Sequence, residues 1–159
     1  MADLHDAPLA SLDAVLAYRL LALRAAVFVV EQECAYLDAD GRDLEAGAVQ
    51  LWIEADGEVI ATTRLLWDAP GRARIGRVAT AAAHRRRGHA EALLRHALHL
   101  AGAAEVVLDA QSYLQGWYER FGFAVTGPEF LDDGIAHVPM ARAAGQDGDG
   151  ADLSGSSGH

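Results

Sequence analysis

The 159-residue chain contains no lysine, no asparagine and a single cysteine, Cys34. Each absence removes a class of chemistry. Without lysine there is no Schiff-base or pyridoxal-phosphate nucleophile and no G-x-x-x-x-G-K-[ST] phosphate loop. Without asparagine there is no Cys-His-Asn protease arrangement and no N-x-[ST] glycosylation acceptor. One cysteine cannot form an internal disulfide, and Cys34 reads as a small buried hydrophobe. Basic charge is also scarce, with 13 arginines against 23 acidic residues and a formal net charge of −10. Such a chain is poorly suited to nucleic acid, where phosphate neutralisation supplies most of the affinity, so no nucleic-acid partner is expected. The longest apolar run, Ala25 to Val30, is six residues, against the ~20 a membrane helix needs. The N-terminus lacks the basic and apolar regions of a signal peptide. The expected compartment is the cytoplasm, with no membrane partner.

What is present suffices for one domain. Apolar residues make up 52% of the chain, enough for a core that buries roughly two-thirds of the unfolded surface. Ser11 can cap a helix whose apolar face is Leu12, Val15, Leu16, Leu20, Leu23 and Val27. The acidic, aperiodic stretch from Glu31 to Gly47 predicts a long loop or broken helix. Val49, Leu51 and Ile53 alternate with polar or amphipathic neighbours as a strand does, and Asp56-Gly57 supplies a hairpin turn to a strand over about 59–67. A third strand follows over about 73–80. A helix then shows Ala90, Leu93, Leu94, Ala97, Leu98 and Ala101 on one face and stops at Gly102. A buried strand at Val106-Val107-Leu108, a short aromatic helix over about 112–121 and strands over about 123–126 and 135–141 complete the order. The fold class predicted is α/β: a mixed, mostly antiparallel sheet flanked by helices. Residues 1–142 form the expected domain. Residues 143–159, rich in Gly, Asp and Ser, are an expected disordered tail.

Charge is unevenly spread. Between Arg72 and Ala90 there are six arginines and no carboxylate, a +6 island on a −10 chain. It brackets a strand-to-helix junction with Gly88 at the helix start. A helix N-terminus presents unpaired N–H groups and about half a positive charge, a ready anion site. Arg85-Arg86-Arg87-Gly88-His89-Ala90 matches the [QR]-x-x-G-x-[GA] pyrophosphate loop of the GNAT acyltransferases. Tyr118-Glu119-Arg120-Phe121-Gly122-Phe123 matches their Y-x-x-x-G-F segment. With the Leu23 to Cys34 and Asp133 to His137 segments, the chain resembles the ElaA branch of that superfamily over about residues 10–142.

The resemblance implies a fold with two splayed central parallel strands and an N-acyltransferase taking acetyl-CoA as co-substrate, without a metal. The main chain of Val78, Ala79 and Thr80 would hold the pantetheine and acyl carbonyl. The loop Arg85, Arg86, Arg87, Gly88, His89 and Ala90 would hold the pyrophosphate. Gln111 stands where many relatives place a pantetheine-binding asparagine. Tyr118 is the implied acid for the leaving thiolate. Many relatives carry a glutamate base on the strand matching 73–80, where this chain has no carboxylate. Glu31 is the chosen base, on the expectation that the preceding apolar run desolvates it; Asp38, Asp40, Asp109, His137 and a water chain are the alternatives. The acceptor is an amine, by default a small molecule, and the oligomeric state is open.

Three further groups carry alternatives. His89, His96 and His99 share a helix, but no cysteine or carboxylate converges on them to make a metal site. Arg24, Arg64 and Arg77 interrupt apolar elements, either as ion-pair partners of Asp38, Asp40 and Asp43 or to bind a substrate carboxylate. Arg24-x-x-x-Phe28, Asp40-x-x-Asp43 and Arg64 also resemble acyl-homoserine-lactone synthases, which typically take acyl groups from a carrier protein. An acyl-CoA-binding sensor without turnover is the third reading.

Overall fold

A computed structural model describes residues 2–145. The expected disordered tail lies outside the described residues from position 146 onward. The architecture is the predicted mixed sheet, in the order β1-β2-β3-β4-β5-β8-β6 with β7 also paired to β8. The strands are β1 (Ala2–Ala7), β2 (Val49–Ala55), β3 (Glu58–Ala69), β4 (Arg72–Thr80), β5 (Glu105–Gln111), β6 (Ala124–Val125), β7 (Phe130–Asp132) and β8 (Ile135–Arg142). Helix α1 (Ala14–Arg24) runs on into a π-helical turn at Ala25–Glu31; α2 (His89–Ala101) and the short α3 (Gln115–Glu119) follow.

Amphipathic spacing decides where the helices lie. Leu93, Leu94, Ala97, Leu98 and Ala101 of α2 are buried in one core with Leu51, Ile75, Val106 and Leu108 from the sheet. Leu20, Leu23, Val27 and Phe28 form a second core with Trp52 and Ala79. Two local expectations change. Asp13, not Ser11, caps α1, its carboxylate accepting from the Leu16 N–H at 2.8 Å, while Ser11 Oγ donates to the Pro8 carbonyl. Both residue types cap well, and the turn at Leu9–Ser11 delays the helix to the second. Val15, placed on the apolar face by spacing, is 59% exposed. Strand β1 was invisible in a sequence whose one large apolar side chain is Leu4; it is an edge strand, antiparallel to β2, and draws on backbone pairing more than on burial. The hairpin at Asp56-Gly57 is as expected, with φ of 52° and 78°.

The acidic loop after α1 is held by charge rather than by apolar burial. Arg24, fully buried, donates to Asp38 Oδ2 at 3.0 Å and to Asp43 Oδ1 at 2.7 Å. Arg64 grips both oxygens of Asp40 at 2.9 Å, and Arg77 reaches Asp38 at 2.8 Å and Asp40 at 3.2 Å. The three arginines that interrupt apolar elements are therefore spent on the three aspartates. Removing one partner strands a buried charge, so Arg24→Ala is expected to lower the unfolding free energy by about 3–5 kcal/mol. Urea titration measures this, and the Arg24→Ala/Asp43→Ala pair should cost less than the sum of its single changes.

The same network makes stability pH-dependent. The Arg64 fork holds the Asp40 carboxyl well below the usual carboxylate range. Burial opposes ionisation of Asp43, yet its bonds to Arg24 and the nearby guanidiniums hold it low as well. Depressed native values mean that the unfolded chain binds more protons in acid. This contribution is complete at neutral pH and is lost as pH falls below the ordinary carboxylate range. The urea midpoint should therefore fall progressively as pH drops below about 4 and keep falling toward about pH 2, and an unchanged midpoint would contradict the network.

Candidate active site

Strands β4 and β5 are the one parallel pair among the described residues, and they stay paired only from Arg72, opposite Glu105, to Arg74, opposite Val107. Beyond that they diverge. The cause lies on the other edge of β4, where Thr62 faces Ala79 and Arg64 faces Gly76, leaving Arg77 and Val78 opposite the single Thr63. This bulge puts Arg77 at φ 53°, and a bulge bends and twists its strand. An open cleft of about 690 Å³ occupies the gap.

One end of the cleft is built for an anion. Gly88 starts α2 at φ 79° with no side chain capping the helix, so first-turn N–H groups are available to a ligand. A Cβ built on Gly88 meets nothing within 4 Å: the space above the loop is open. Charge here is smaller than the sequence island suggests. Arg72 pairs with Glu105, Arg74 with Asp68, Arg77 with Asp38 and Arg85 with Glu31. Among the described residues, Arg86 and Arg87 have no carboxylate partner. Burial lowers the His89 pKa, helped by His84 and Arg87, so His89 contributes no charge at neutral pH.

The other predicted residues divide between wall and support. Val78, Thr80, Arg85, Arg86, Gly88 and Ala90 line the cleft, as do His89, Gln111 and Tyr118. Ala79 does not: it is 2% exposed and packs beside α1. Arg87 lies at the loop but off the cleft wall. Tyr118 is 6% exposed, with Trp117 edge-on at 4.9 Å and Phe123 at 5.9 Å; burial pushes its phenol up to about 12. Gln111 donates to Gln32 Oε1 at 3.3 Å.

Glu31 reaches the cleft but lacks the expected desolvation. Its side chain is 43% exposed and ion-paired to Arg85 at 2.7 Å. Arg85 also donates to the Thr80 carbonyl at 3.1 Å, so this pair ties the π-helical turn to the end of β4. Sequence reading missed Gln32 and Tyr36, which line the cleft from the acidic loop. That stretch has no periodicity, so nothing local signals which way its side chains face.

The model of the acetyltransferase (GNAT) domain matches residues 25–144. The chain belongs to the GNAT acetyltransferase family. A UPF0039 protein of Mycobacterium tuberculosis is 49% identical over 135 residues, 82% of this chain and 86% of its own length. ElaA of Escherichia coli is 38% identical over 131 residues, 79% of this chain and 86% of its own. Among solved structures, an acyl-CoA N-acyltransferase from Pseudomonas aeruginosa superposes with a TM-score of 0.86 at 38% identity, covering 90% of this chain and 100% of its own. As a GNAT domain the protein has an acyl-CoA-dependent acyltransferase fold of the ElaA branch. The divergence of β4 from β5, the uncapped α2 and the open space over Gly88 fit such a ligand in this chain's own geometry. No helix among the described residues is long and apolar enough to cross a membrane.

Proposed function

We propose that the protein is an acetyl-CoA-dependent N-acyltransferase that passes the acyl group directly to an amine, by default a small molecule, in a ternary complex. The observation that carries this is the single cleft joining the open α2 N-terminus at Gly88 to the buried phenol of Tyr118. In this reading the first-turn N–H groups of α2 and Arg86 hold the pyrophosphate, and Arg87 adds positive charge beside the loop. The main chain of Val78 and Thr80 faces the pantetheine arm, with the Gln111 amide beyond it. Arg85 and its Glu31 partner fix the shape of the loop, so Glu31 acts on the guanidinium rather than on the amine. Residues 1–142 carry the activity, and the cytoplasm is its compartment.

The bound thioester supplies an activated acyl carbon; the protein has to stabilise an oxyanion, accept a proton from the amine and neutralise a leaving thiolate. A backbone N–H near Val78 serves the first role, of a kind worth ~2.7–4 kcal/mol. Tyr118 serves the last. A free thiol titrates near ~8.5, so complete transfer from a phenol held at about 12 is uphill. Tyr118 therefore acts by donating a hydrogen bond as charge grows on sulfur, and it stays protonated throughout the working pH range.

The arginines and aspartates that resemble acyl-homoserine-lactone synthases are paired with one another, which leaves none of them for an acyl carrier or a substrate carboxylate. Donor competition tests the choice: acetyl-CoA should outcompete acetyl-loaded acyl carrier protein in acyl transfer to a primary amine. Preference for the carrier would reverse the assignment.

A further inference from the structure

With Glu31 bound to Arg85, the amine's proton needs another acceptor. His137 lies on β8 opposite Gln111 of β5 and lines the cleft. Its Nδ1 is 2.8 Å from the Ile135 carbonyl. A carbonyl oxygen only accepts, so Nδ1 must carry the proton of the neutral ring, which leaves the lone pair on Nε2. Phe130, stacked at 5.7 Å with 20° between planes, holds the ring in place.

The charged and titratable groups facing this end of the cleft from neighbouring elements offer no equal. Cys34 and Tyr36 of the loop have pKa values raised chiefly by burial, so both are protonated at neutral pH. Burial pushes Tyr118 of α3 up to about 12, so it is protonated as well. Asp109 of β5 lies 3.6 Å from the Arg74 guanidinium, and Arg77 of β4 is a cation. Asp132 of β7 is exposed to solvent. An imidazole with a free lone pair is the side chain most often used in general-base catalysis.

We infer that His137 is the general base of the transfer, its Nε2 taking the proton of the attacking amine. The inference rests on the acyltransferase reading above. In the step, Nε2 takes one proton from the bound ammonium, and the freed amine nitrogen forms a bond to the acyl carbon as the carbon–sulfur bond breaks with its electron pair on sulfur. The thiolate leaves hydrogen-bonded to Tyr118 and gains the second nitrogen proton through water, while the proton held by His137 passes to solvent, one per turnover. No oxidant or metal enters the balance.

The test compares wild type with His137→Gln, using acetyl-CoA and two probes, 2-phenylethylamine and hydrazine, at pH 8. The alkylamine is almost wholly protonated there and needs a base, whereas about half of the hydrazine is already neutral. The variant should lose about 10²-fold or more in kcat/KM with the alkylamine, and much less with hydrazine. Ring ¹⁵N NMR of wild type should show His137 protonated on Nδ1. Equal losses with both probes, or a ring protonated on Nε2, would overturn the role. Acetyl-CoA affinity, measured by calorimetry alongside, separates the two claims. Equal losses with acetyl-CoA still bound defeat His137 alone, whereas wild type that fails to bind acetyl-CoA defeats the acyltransferase reading.

Discussion

Gly88→Asp is expected to abolish acetyl-CoA binding at only a small cost to the fold. Both effects follow from the one added side chain. Gly88 has φ 79°, and a Cβ there meets nothing within 4 Å. Aspartate tolerates the left-handed region better than most residues, and a carboxylate at a helix N-terminus stabilises the helix. That same carboxylate fills and charges the space where a phosphate would sit. At ~4 Å and an effective dielectric near 20 the repulsion is about 4 kcal/mol, or about 10³-fold in affinity. Gly88→Asn separates the components, because it adds the same bulk without charge and should weaken binding less. Calorimetry with acetyl-CoA reads the affinity and urea titration the stability. An affinity unchanged by Gly88→Asp would remove the pyrophosphate from this loop.

Tyr118→Phe should lower kcat by about 10²–10³-fold with acetyl-CoA affinity within a few-fold of wild type. The substitution keeps the ring against Trp117 and Phe123 and removes only the hydroxyl, so core packing is preserved. A packing role predicts the reverse, a near-normal rate. Because the phenol is held up to about 12, no fall in rate on the alkaline side below that value belongs to Tyr118. Steady-state rates from pH 6 to pH 10 on wild type and variant would show this.

Much of the fold was legible because its signals are local. The 3.6-residue spacing of Leu93, Leu94, Ala97, Leu98 and Ala101 is the buried face of α2, and Asp56-Gly57 sits at a hairpin turn. The motif around Gly88 needs only a strand, a turn and a helix start, all encoded within a dozen residues. What stayed hidden depends on distant partners. Nothing around Arg77 announces a positive φ, since the bulge is set by the mismatch of β4 against Thr63 of β3. The +6 island shrinks to Arg86 and Arg87 because its other members find carboxylates outside it, Arg74 nearby at Asp68 and the rest far along the chain, as Arg85 does with Glu31. The expected desolvation of Glu31 fails for the same reason: an apolar run before it says nothing about a guanidinium that folding brings across from residue 85. His137 drew notice only as one of several bases, because its fixed tautomer requires the backbone of a β7–β8 hairpin that sequence reading did not separate.

The central claim is that this cleft transfers an acyl group to an amine rather than merely holding acyl-CoA. Amine-dependent thiol release from acetyl-CoA tests it most directly, followed over a panel of alkylamines, polyamines, amino acids and peptides with the acetylated product identified by mass spectrometry. Wild type should release thiol with at least one amine, in step with its acetylated product. Tight acetyl-CoA binding with no amine-dependent release across the panel would contradict the claim and leave an acyl-CoA sensor in its place.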